Sequence, residues 1–104
     1  MPEYSTHPPA REEIDKLPGA TLVEFGTPWC GHCRRAAPLV DEALKDAQGL
    51  RHVKVEDGPG RRLGRSFKVK LWPTLVFLKD GVEVARVVRP QDAAEVREAL
   101  QQTR

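Results

Sequence analysis

The apolar pattern of this chain changes period at a pair of cysteines, and no other feature constrains its fold as much. Ahead of the pair, Thr21–Phe25 is a short apolar run interrupted only by Glu24, which suits a buried strand. From Cys30 onward, Ala36, Ala37, Val40, Ala43, Leu44 and Ala47 recur at helical spacing as far as Gly49. Arg51–Glu56 then alternates Val53 and Val55 with polar neighbours and reads as a second strand. Strand, long helix, strand is a crossover, which sets the two strands parallel in one sheet. Leu75–Leu78 and Val82–Val88 are joined by Lys79-Asp80-Gly81, a hairpin turn signal that makes this second pair antiparallel. Shorter helices are expected over Pro8–Leu17, stopped by Pro18-Gly19, and over Arg61–Phe67. Asp92–Gln102 closes the chain as a helix with Val96, Ala99 and Leu100 on one face. The expectation is an α/β fold: a central mixed sheet of four or five strands flanked by helices on both faces, with Tyr4 and its neighbours as the candidate fifth strand.

Residues 1–104 are expected to form one domain, since dividing them would leave each half too small for a core. An apolar fraction of 39% with eight glycines besides is ordinary for a globular chain and excludes disorder and collagen-like structure. No apolar run approaches the ~18–20 residues that span a bilayer, and Met1–Glu13 has no stretch fit for a secretory signal, so a soluble, untargeted protein is expected. A net charge of +2 points to no nucleic-acid partner. Residues 51–70 nevertheless hold seven cations against two anions, a local +5. A solvated face accounts for them more simply than a docking patch for acidic partners.

The chain has two cysteines, Cys30 and Cys33, and a bridge between them would close too short a loop to staple a fold. The core must stand on packing, which leaves both thiols free for chemistry and fits a reducing cytoplasm. Three residues of helix advance ~4.5 Å and nearly complete a turn, so the two Cα atoms come to about 5 Å, inside the ~4.4–6.8 Å window of a disulfide. Cys30 falls at the helix start, where unpaired N–H groups and the helix dipole favour a thiolate. Cys33, one turn in, is the more buried. That asymmetry gives Cys30 the attack on a client disulfide and Cys33 the resolution of the mixed disulfide. A structural zinc site would need two further ligands, and His7, His32 and His52 are dispersed. Haem attachment would need histidine after Cys33, where Arg34 stands. Two buried cysteines that merely fall three apart would explain neither their position nor their surroundings.

Those surroundings carry a resemblance. Glu24-Phe25-Gly26-Thr27-Pro28-Trp29-Cys30-Gly31-His32-Cys33, with Pro38 five residues beyond and Trp72-Pro73-Thr74 ahead of a strand, resembles the thioredoxin family over residues 10–101. The resemblance implies the thioredoxin fold and a thiol–disulfide oxidoreductase with no metal or organic cofactor. It makes Pro73 the cis-proline that presents the backbone of Trp72 to a client strand, and Pro38 the proline that kinks the active-site helix. Trp29, Gly31, Trp72, Pro73 and Arg89 become the client-contacting residues. Glu24 falls where the family often has a buried aspartate, able to take the Cys33 proton. His52 falls where the family often has a lysine near that acid, with Lys54 one pleat away as the other candidate.

Several positions depart from an ordinary member. Gly31-His32 looks like the motif of protein disulfide isomerases, and an imidazole beside Cys30 would stabilise its thiolate and make the disulfide more oxidising. The gap between roughly −270 mV and −180 mV that separates the two kinds of protein is worth about 4 kcal/mol. Trp72 widens the client platform, Arg89 replaces a usual glycine, and Gly26 replaces a usual tryptophan. The expected function is reduction of client protein disulfides by a cytoplasmic monomer serving redox homeostasis. Its electrons would come from a thioredoxin-reductase-type donor. A disulfide oxidase or isomerase and a redox-sensing interaction module are the alternatives.

Overall fold

The strand ahead of the cysteines, β1 (Ala20–Gly26), is buried from Thr21 to Gly26 and occupies the middle of the sheet. It runs parallel to β2 (Arg51–Glu56) on one side and antiparallel to β3 (Thr74–Lys79) on the other. β4 (Val82–Val88) pairs antiparallel with β3, which gives the order β2-β1-β3-β4. This computed structural model describes residues 3–104; Met1 and Pro2, which begin the segment read for a secretory signal, lie outside the described residues. The crossover and the hairpin thus produce the mixed sheet their spacing predicts, with four strands. The candidate fifth strand is reduced to a single bridge. Ser5 donates to Lys54 O at 2.8 Å and accepts from Glu56 N–H at 3.0 Å. Pro8 and Pro9, which have no N–H, cannot prolong the ladder.

The helices are α1 (Arg11–Asp15), α2 (Gly31–Leu44), α3 (Arg62–Ser66) and α4 (Ala93–Gln101). α1 is shorter than the sequence suggests because Ala10 is still extended. α4 is fixed at its start by Asp92, whose carboxylate accepts from Glu95 N–H at 3.0 Å. Strand pleating separates two cores. Val23, Phe25, Val76 and Leu78 meet Ile14 of α1 and Leu63 of α3, while Leu22, Leu75 and Phe77 meet Val40 and Ala43 of α2 and Val96 of α4. Each such side chain contributes about 1.5–3 kcal/mol by its burial, so the sheet is anchored from both sides.

The same parity positions the site. Glu24 and Gly26 share the face of Leu22, so the last turns of β1 present a carboxyl and a bare backbone beneath the start of α2. Some of the cations of residues 51–70 are used within the fold. Arg61 bonds the Glu56 carboxylate at 2.9 Å, and Arg51 reaches Pro18 O and the Thr21 hydroxyl at 3.2 Å, while Arg62 and Arg65 lie in solvent. Among the described residues, no helix is long and apolar enough to cross a membrane.

Candidate active site

α2 begins at the cysteine pair because Cys30 is its N-cap. The residue is extended (φ −76°, ψ 124°), and its sulfur accepts from Cys33 N–H at 3.3 Å. Both thiols are free, Cys30 half-buried and Cys33 only 3% exposed. Partial burial works to raise the Cys30 pKa. It is outweighed by hydrogen bonds from the Cys33 thiol and from the N–H groups of Cys33 and His32, joined by the charge of Arg89, and the value falls below that of an ordinary thiol. Cys33 behaves oppositely. Burial and its hydrogen bond to Cys30 push it up to about 11, against the opposing pull of Thr27 N–H and the Tyr4 hydroxyl. The pair is thus divided into an accessible thiol inclined to ionise and a buried one that resists.

Beneath them Glu24, 2% exposed, holds its carboxylate 2.8 Å from His52 Nε2. His52 and Lys54 lie on the same face of β2, and the choice between them is settled by side-chain direction: Lys54 lies over the Tyr4 ring instead, its Nζ 4.4 Å from the centroid. Tyr4 comes in beside Gly26. A Cβ at Gly26 would lie 2.5 Å from Cys33 Sγ and 2.8 Å from the Tyr4 hydroxyl, so the glycine makes room for both. Tyr4, Thr27, Cys33, Arg34 and Lys54 line a cleft of about 390 Å³.

On the other side the accessible thiol is flanked by an aromatic surface. Trp29 is 69% exposed and meets Trp72 edge-on, with ring centroids 5.8 Å apart. Trp72 is held by Asp57, whose Oδ2 accepts from its Nε1 at 2.8 Å. The same carboxylate packs against α3, where a Cβ on Gly64 would overlap it. The Trp72–Pro73 peptide bond is cis, and Pro73 is buried. Arg89, the first residue past β4, donates from Nε to Trp72 O at 2.8 Å and from its backbone N–H to Pro73 O at 3.0 Å. Gly31 is exposed at the start of α2.

His32 is exposed, and its ring is turned to Arg35, whose guanidinium donates to Nδ1 at 2.9 Å. Desolvation and the charges of Arg89 and Arg35 lower its pKa below that of an ordinary imidazole. What His32 lends Cys30 is its backbone N–H. Two residues at the site, Tyr4 and Asp57, were not singled out from the sequence as functional. Gly26 was the signal for Tyr4, since a glycine in place of a bulky residue leaves a space that another part of the chain must fill. Asp57 has no local signature. Among the described residues, no group of three or more His, Cys, Asp or Glu side chains could hold a metal ion.

Comparison with known proteins adds a family match and close relatives. The family model described as Thioredoxin matches residues 6–102. Thioredoxin 1 of Nostoc sp. is 34% identical over 79 residues, covering 75% of this chain and 74% of its own length. Protein disulfide-isomerase A3 of Gallus gallus is 38% identical over 81 residues, which are 77% of this chain but 16% of that protein. Among solved structures, thioredoxin 2 from Pseudomonas aeruginosa PAO1 in its reduced form matches with a TM-score of 0.88 at 62% identity, covering 98% of this chain and 94% of that one.

Proposed function

The chain belongs to the thioredoxin family and is a thiol–disulfide oxidoreductase, and from that premise we propose that it reduces disulfides of client proteins by dithiol–disulfide exchange. The Cys30 thiolate attacks one sulfur of the client disulfide and releases the other as a thiolate. Cys33 then loses its proton to Glu24 and attacks Cys30 Sγ. The client leaves with two electrons more, and the protein is left with a Cys30–Cys33 disulfide. A thioredoxin-reductase-type donor in the cytoplasm restores the dithiol.

The observation that carries this reading is the unequal pair: Cys30 at the N-cap of α2 with its pKa lowered, and Cys33 buried behind it and pushed up to about 11. Only the first is prepared to attack at neutral pH, and only the second is shielded from outside reagents. The platform of Trp29, Trp72 and Pro73, with Arg89 beside it, offers a docking surface for an extended peptide. The oxidase or isomerase reading rests on the imidazole beside Cys30 stabilising its thiolate. The His32 ring is engaged with Arg35 instead, which weakens that reading.

The test is trapping. Cys33→Ser should accumulate covalent adducts through Cys30 with a disulfide-bearing protein such as insulin, while the unaltered chain turns the same disulfide over with a reductase system. If Cys30 remains alkylatable in Cys33→Ser but no adduct forms, the two-cysteine mechanism is wrong. Slow, non-catalytic oxidation of the unaltered chain would instead favour a redox-sensing interaction module.

A further inference from the structure

When Cys33 ionises, its thiolate must exist at a site 3% exposed, where little of the sulfur is open to water. The backbone supplies one donor, the N–H of Thr27. The geometry points to a second. We propose that Tyr4 is a further catalytic residue of the exchange, its hydroxyl donating a hydrogen bond to the Cys33 sulfur and steadying the thiolate as it attacks the mixed disulfide. The proposal rests on the reading of Cys33 as the resolving thiol.

Three observations converge on Tyr4. The Cys33 sulfur and the Tyr4 hydroxyl share the space above Gly26, with 2.5 and 2.8 Å separating them from the point where a Cβ would stand. Any side chain at that position would part them. The phenol is also held in place. Its neighbour Ser5 is bridged to both Lys54 and Glu56 of β2, and the Lys54 ammonium lies over the ring. Finally, Tyr4 and Cys33 line the same cleft as Thr27, whose buried hydroxyl has no partner among the described residues. None of Trp29, Trp72, Pro73 and Arg89 lines that cleft, so Tyr4 stands apart from the residues proposed to contact clients.

The phenol stays protonated throughout. Burial and the negative charges of Glu24 and the cysteines hold its pKa well above the ordinary value, so it is always a donor toward sulfur. Other ionisable groups around this corner are Cys30 and Arg34 from α2, Glu24 from β1, His52 and Lys54 from β2, and Glu3 beside Tyr4. In the step itself the Cys33 proton passes to Glu24. The Cys30–Cys33 bond forms as the Cys30–client bond breaks, and the client thiolate takes a proton from solvent. Tyr4 supplies only its hydrogen bond, which is strongest while the sulfur carries charge.

Rapid mixing of the reduced protein with excess dithiobis(nitrobenzoate) tests this. The first coloured thiolate reports attack by Cys30, and the second reports attack by Cys33 on the mixed disulfide. Tyr4→Phe keeps the ring and its contact with Lys54. It should leave the first release unchanged and slow the second about tenfold at neutral pH, the usual consequence of losing one hydrogen bond to a charged group. In a Cys30→Ser background, the pH midpoint for alkylation of Cys33 should rise when Tyr4→Phe is added, because the thiolate has lost a donor. A second release and a Cys33 midpoint both unchanged by Tyr4→Phe would overturn the proposal, and so would a lowered melting temperature with an unmoved midpoint. If the unaltered protein gives a first release and no second, it is the assignment of Cys33 as resolving thiol that fails.

Discussion

Arg89 stands with φ +50°, in the left-handed region that costs a residue with a side chain about 1–2 kcal/mol. A glycine would relax there, so the arginine must return something. It gives a hydrogen bond to Trp72 O, worth about 1 kcal/mol, and a positive charge that helps to lower the Cys30 pKa. Arg89→Gly is therefore expected to change stability by less than about 1 kcal/mol, since the two contributions nearly offset. The same variant should raise the pH midpoint of Cys30 alkylation, because the thiolate loses a cation. Unfolding and alkylation measured on one preparation check both halves. At this scale the sequence was most legible where chemistry depends on spacing alone, as for Cys30 and Cys33. It was less so for His32, whose ring direction depends on a partner one helical turn away, and least for Tyr4, whose approach to Cys33 exists only after residues 4 and 33 are brought together by β1 and β2.

At the scale of elements, the β3–β4 hairpin ties the sheet to the end of α1. Asp80 and Gly81 form its turn at φ +50° and +82°, the conformation a two-residue hairpin loop requires. Asp80 accepts from Gly19 N–H at 2.7 Å, and a Cβ on Gly81 would overlap the carbonyl of Asp15. Gly81→Ala thus meets both a strained φ and a backbone atom that cannot step aside. A loss of about 2 kcal/mol or more is expected, lowering the melting temperature by roughly 10 °C in a chain of this size. An alanine variant that melts with the unaltered protein would show that the turn is not held against α1. The turn was readable from Lys79-Asp80-Gly81, and the sheet order followed from crossover and hairpin. The fifth strand was not readable, because whether Tyr4 and Ser5 extend a ladder depends on where Pro8 and Pro9 force the chain to leave the edge of β2.

At the scale of the molecule, one sheet with two cores explains why the thiols differ. β1 places Glu24 and Gly26 under α2, α2 turns Cys33 inward and leaves Cys30 at its cap, and the loop after β4 brings a cation to the outer thiol. The thioredoxin fold thereby gives two identical side chains, three residues apart, opposite tendencies to ionise. The measurement that tests this most directly is alkylation of the reduced protein by iodoacetamide across pH, with each cysteine followed separately by peptide mass. A thiolate forms as pH rises through its pKa, so Cys30 should react alone at neutral pH, with a midpoint below that of an ordinary thiol. Cys33 should stay unmodified until alkaline pH, consistent with its pKa of about 11. Alkylation of both cysteines together at the ordinary midpoint, or of Cys33 first, would contradict the account.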